Sequence, residues 1–156
     1  MRRKSVRATD ATTAMDDLGR LLTQISGGSR DALRLLFDRT SEAMRDGLDA
    51  HLPDQRRATA VLVGTYVEIW WLARCRIDPA ADATGWINQI MCRRLAEELA
   101  VVESLGHDAE WIAEAAESRS RCAALHLADL LGRPVETLTG RRRHACAVAD
   151  RAAVVK

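Results

Sequence analysis

The residues best suited to chemistry in this chain are cations near its end. Arg141, Arg142, Arg143 and His144 stand in a row, with Thr137 and Thr139 just ahead of them. Arginines at that density neutralise phosphates or read guanine edges bidentately, and a threonine opening the same helix would meet bases or phosphates first. Trp86, Arg93 and Arg94 form a second set, an indole and two guanidiniums able to stack on and neutralise single-stranded nucleic acid. For Trp86 by itself, packing in the core is the stronger expectation. Trp70 and Trp71 are neighbours, so on a helix they point roughly 100° apart and cannot be equally buried. The more exposed of the two is a candidate for contact with a partner.

Metal and acid–base chemistry are poorly served. Cys75, Cys92, Cys122 and Cys146 fall in no CxxC pattern and read as reduced, half-buried thiols. Cys122 and His126 lie one helical turn apart, and with His144 and Cys146 they could in principle close a tetrahedral zinc site. Their spacing fits no finger pattern, and His144-x-Cys146 is awkward on a helix, so no metal is expected. The chain has no glycine-rich phosphate loop, no HExxH and no GxSxG, and its four histidines are scattered. Neither an enzyme nor a cofactor is expected.

These side chains must be held by helices. The 156 residues carry 23 Lys+Arg against 22 Asp+Glu, a net charge of +1 that argues against a wholly basic nucleic-acid coat but leaves room for local patches. At 47% hydrophobic residues there is material for a packed core. The basic start Met1–Arg7 has no apolar run behind it, which is unlike a secretory signal, and no stretch approaches about 18 apolar residues. A cytoplasmic protein is expected.

A period near 3.6 dominates. Met15, Leu18, Leu21, Leu22 and Ile25 share a face that Gly27-Gly28 stops. Ser29 can cap a second helix burying Leu33, Leu36, Phe37, Met44 and Leu48. Pro53-Asp54 can open a third with Val61, Leu62, Thr65, Ile69 and Trp70 inward. After a loop at Ile77–Asp82, Thr84 would cap a fourth helix to about Leu105, with Trp86, Ile87, Ile90, Met91, Leu95 and Leu99 as its stripe. Asp108 can cap a helix carrying Trp111, Ile112 and Ala115. A polar stretch, Glu117 to Arg121, then precedes a helix over Leu125–Leu131, a break at Gly132-Arg133-Pro134, and a helix from Val135. Nothing alternates with period two over a strand's length. The expectation is an all-α protein with a basic, disordered tail at 1–14, a helical domain at 15–105 and a helix-turn-helix domain at 106–156.

Four stretches resemble the extracytoplasmic-function sigma factors, small bacterial transcription-initiation subunits. Gly28–Arg39 looks like the family's "G-D-x-x-A-F-x-x-L-Y-x-x-Y". Ala58 through Trp71 has the pattern of its polymerase-docking helix, with Tyr66 and Trp70 at the family's aromatic positions. Asp78-Pro79 with Trp86–Ile90 resembles "F-D-P … W-L-x-x-I", and Leu127–Leu138 resembles "I-A-x-x-L-G-x-P-x-G-T-V". The likeness runs from about Leu18 to Ala149.

The resemblance implies two helical domains, a region-2-like bundle and a region-4-like helix-turn-helix. It also implies binding to RNA polymerase core and promoter DNA, and a possible anti-sigma partner. It assigns docking to Arg57, Ala60, Val63, Gly64, Val67 and Trp71. Contact with DNA would come from Thr137, Thr139, Arg141, Arg142, Arg143 and His144, and from Trp86, Arg93 and Arg94. The chain departs from the family where docking chemistry is concentrated. The acidic and amide positions of "D-A-E-D … Q-E" read Arg57, Thr59, Ala60, Val63 and Gly64, which removes the interfacial charge pairs and adds one repulsion. On the melting helix, "N-x-x-x-D-x-x-R" becomes Arg93, Glu97 and Ala100. In the last helix Thr139 stands for Lys, Gly140 weakens the helix, and Arg142 replaces an apolar residue. Two expectations follow: a sigma-like initiation factor, or a degenerate sigma-like interaction module that serves as anti-sigma decoy or accessory regulator.

Overall fold

The computed structural model describes residues 17–76, 82–103 and 109–139, and every regular element among them is helical. The tail at 1–14, Met15, most of the 77–82 loop, Gly106–Asp108 and the residues from 140 onward, Cys146 included, lie outside the described residues.

Helix α1 spans 17–26 and is stopped by Gly27 and Gly28, the latter at φ +88°. Glycine takes that left-handed geometry without the steric cost of a β-carbon. Helix α2, Arg30–Asp49, starts at Ser29, whose side chain accepts from the Ala32 amide. Its Leu33, Leu36, Phe37, Met44 and Leu48 are all buried, as their spacing dictates. Helix α3, Gln55–Leu72, is capped by Asp54, which accepts from the Arg56 amide, and ends in a 3-10 turn over Ala73–Cys75. Helix α4 covers Ala83–Glu103 and so begins one residue before Thr84, with the Trp86 amide bonded to the Asp82 carbonyl.

Helix α5 is a single rod, Ala109–Leu131, followed after Gly132 by the short α6, Val135–Thr139. The expected interruption at Glu117–Arg121 does not occur. Glu117, Ser118, Arg119 and Arg121 all face solvent, so polarity there marks an outer face and not a break.

α3 is the hub, packing against α2, α4, α5 and α6. Nine of its residues are buried, Val61, Leu62, Val63, Gly64, Thr65 and Tyr66 consecutively, so no single face defines it. A helix apolar all round must be enclosed, and here neighbours enclose it. Tyr66 shows how its one polar ring tip is accommodated. The hydroxyl lies 2.6 Å from Thr40 Oγ1 and the ring meets Phe37 at 4.8 Å, while burial pushes the phenol's pKa upward.

One cluster of buried side chains joins α1, α2, α3 and α4 to Ala124, Leu127, Ala128, Leu130 and Leu131 of α5 and Leu138 of α6. It therefore runs across the expected boundary near Leu105–Asp108. Two further expectations are corrected. Cys75, Cys92 and Cys122 are exposed rather than half-buried, and Leu99 at the end of the α4 stripe is 40% exposed. Among the described residues, no helix is long and apolar enough to cross a membrane.

Candidate docking and nucleic-acid interface

The face of α3 assigned to polymerase is occupied from within. α5 carries Ala124, Leu127, Ala128 and Leu131 at helical spacing, an apolar stripe that needs a surface. Thr59, Ala60, Val63 and Gly64 of α3 supply one. Thr59 and Val63 are 8% and 1% exposed. Had carboxylates stood there, burying them against α5 would cost several kcal/mol each without a partner. The uncharged side chains at these positions are what let α5 lie against α3.

The seam is thin. Two grooves remain beside it, of about 500 Å³ and about 270 Å³, and both are bordered by Ala60 and Ser120. Small side chains, Gly64, Ala116 and Ala123 among them, line the smaller one. A β-carbon on Gly64 would lie 3.7 Å from the Arg94 guanidinium carbon, an ordinary van der Waals contact. At the far end Trp71 stacks on His126 of α5, with centroids 5.9 Å apart and planes 11° apart. Trp71 is 56% exposed while Trp70 packs on the core, so Trp71 is the outward one of the pair.

Arg57 is paired inside the chain. Its Nε donates to Glu98 Oε1 at 2.7 Å and its Nη2 to the Glu98 carbonyl at 2.8 Å. Sequence reasoning overlooked Glu98. A half-buried arginine in the first turn of an apolar helix needs an acid nearby, and Glu98 is that acid.

Of the DNA set, Trp86 is half-buried and packed against the core. Arg93 and Arg94 both bond to Glu68, Arg94 Nε at 2.6 Å from Oε2 and Arg93 through Nη2 to Oε1. The Arg93 side chain is still 53% exposed, with Glu68 on one side of its guanidinium and the rest open to solvent. Thr137 is exposed on α6, but its hydroxyl donates to the Pro134 carbonyl at 2.7 Å. The Thr139 side chain and Arg141, Arg142, Arg143 and His144 lie outside the described residues.

A second seam, unforeseen from sequence, holds the turn after α5 to α2. Arg34 Nε donates to the Leu131 carbonyl at 2.6 Å, and Arg45 Nη2 to the Leu138 carbonyl at 3.2 Å. Arg30 bonds to Asp129, and Arg133 grips Asp38 with both nitrogens at 2.6 and 2.7 Å. The hydrogen bond from Arg133 holds the Asp38 carboxyl below its usual pKa, partly opposed by burial, and the same contact raises Arg133. Arg30, Arg34, Asp38 and Arg45 sit at i, i+4, i+8 and i+15, a polar stripe along one side of α2 that the sequence displays.

Cys122 is exposed, His126 Nε2 is buried with no hydrogen-bond partner, and no metal-binding group of three occurs among the described residues. The remaining members of the weighed zinc set, His144 and Cys146, are outside them. Compared with known proteins, the chain matches no family model, no curated protein and no solved structure.

Proposed function

We propose that this protein is a sigma-like regulator of transcription that works by contact with other proteins and does not recruit polymerase while α5 covers α3. The observation that carries this reading is the closed α3 face, with Val63 at 1% exposure beneath α5. The resemblance over Gly28–Arg39, Ala58–Trp71, Trp86–Ile90 and Leu127–Leu138 supplies the transcription class. The helix, glycine turn and second helix at Leu127–Thr139 support DNA as a further partner. An anti-sigma factor is the protein partner this reading implies, with the chain as its decoy.

The testing experiment is a pull-down of bacterial core RNA polymerase with the purified full chain, at low and moderate salt. Absence of a complex at both salts is expected. A salt-sensitive complex would overturn the reading and favour an initiating sigma factor. The unfilled grooves beside the α3–α5 seam favour that second reading, since they lower the cost of moving α5 relative to a fully packed seam. In that case polymerase binding would raise amide exchange in α5 and leave α3 protected by its new partner.

A further inference from the structure

The side of α5 turned away from α3 has a pattern of its own. Trp111, Ser118 and Leu125 recur every seven residues, and seven residues make almost two full turns, so successive members align within about 20° and the two ends within about 40°. Trp111 is 64% and Leu125 56% exposed, at opposite ends of a line about 21 Å long. At 100° per residue, Glu114 and Arg121 flank that line on one side and Ala115 and Cys122 on the other. Glu114, Ser118, Arg121 and Cys122 are exposed. The buried positions Leu127 and Leu131 lie on the opposite half of the helix, so this line is free of the core.

We propose that this face joins two copies of the chain, α5 against α5, antiparallel about a two-fold axis at Ser118. Under that operation Trp111 of one copy meets Leu125 of the other, so each exposed apolar side chain covers its counterpart at both ends. The same operation sets Glu114 beside Arg121 of the second copy, on one flank and within a residue of the same height. On the other flank Ala115 meets Cys122, small side chains that let the backbones approach. A parallel pair would instead set Trp111 on Trp111 and Leu125 on Leu125, and would place Glu114 beside Ala115 and Arg121 beside Cys122 of the second copy, leaving both charges without a partner across the contact. The charge order along α5 therefore selects an antiparallel second copy, and such a contact is isologous and closes on itself.

Arg121 also reaches Glu117 of its own helix at 3.3 Å, but both side chains are about 70% exposed and a guanidinium has donors for two carboxylates. A single helix pair buries about 1,000 Å² in total, the low end for specific interfaces, so the dimer is reversible at micromolar concentration.

Sedimentation of the full chain over a range of micromolar concentrations tests this directly. A monomer–dimer equilibrium is expected. Trp111→Ser and Leu125→Ser should each weaken it at least tenfold without changing the thermal unfolding of the monomer, because both residues are exposed. Arg121→Glu should weaken it too, and Glu114→Arg in the same chain should restore it. In a chain whose native cysteines are changed to serine, Ser118→Cys should give a dimer with a short bis-maleimide cross-linker, and Glu97→Cys should not. A chain monomeric at every concentration overturns the proposal and leaves the face to an unlike partner. So does a dimer indifferent to the apolar substitutions, or one that the paired charge swap fails to restore. No polymerase is present, so this result stands apart from the regulatory reading.

Discussion

α5 and α6 are held to the rest of the molecule by two seams made of opposite materials. Against α3 the contact is small and apolar, with Ala60, Gly64, Ala116 and Ala123 leaving grooves of about 270 and 500 Å³ alongside. Against α2 it is polar and directional, with Arg34 and Arg45 on the backbone carbonyls of Leu131 and Leu138 and Arg133 forked onto Asp38. The first seam places α5 by area and the second fixes its register by geometry. Partly exposed ion pairs add little net stability, whereas buried leucine adds much. The apolar seam therefore sets how firmly α5 is held, and the polar seam sets where it ends.

That division can be broken at graded cost. Leu127→Ala, at a fully buried position of α5, should lose about 2–5 kcal/mol in urea unfolding, and an effect below about 1 kcal/mol would deny the apolar seam its role. Gly132→Ala should lose about 1–3 kcal/mol. Gly132 sits at φ +61°, and an added β-carbon would come 2.7 Å from Arg34 Nη2. Ala60→Val works the other way. By filling space common to both grooves it should raise stability by about 0.5–2 kcal/mol, and destabilisation would mean the grooves are tighter than drawn.

Asp38→Asn should cost the least, under about 1 kcal/mol at neutral pH. Its effect is pH-dependent with a definite sign. The folded carboxyl is depressed by Arg133, so its contribution is complete above the unfolded value near 3.9 and is lost as pH falls through the folded value. Wild type and Asn variant should differ in urea midpoint at pH 7 and converge in acid. A gap that widened in acid would contradict the pairing.

Much of the scaffold is legible in the residues themselves. Ser29 and Asp54 cap as their side chains allow, Gly27-Gly28 and Gly132-Arg133-Pro134 break the chain where they should, and the α2 stripe buries as its period requires. Period fails on α3 because the helix is enclosed on several sides, so Val63 and Gly64 are as buried as Leu62. It also fails on α5, where the exposed face of a continuous helix reads like a linker. The sequence reading assigned a face of α3 to polymerase, but sequence shows no distance between α3 and α5 and so does not reveal that α5 packs there. Arg93 and Arg94 were read as contacts to nucleic acid and Arg57 as a position facing polymerase, and all three have acids in their own chain. Charge type is visible in sequence, but its partner is a matter of tertiary proximity.

The contact between Gly132 and Arg34 has an evolutionary side. The arginine reaches the Leu131 carbonyl only across the space that a side chain at 132 would fill. Neither position is free to drift alone. A lineage that acquires a β-carbon at 132 must first shorten residue 34, and one that shortens 34 leaves an uncapped carbonyl and a turn whose φ of +61° still favours glycine. The two sites, ninety-eight positions apart in the chain, form a single inherited character, and a tally of paired changes among descendants of this sequence would show whether the turn has kept its seat on α2.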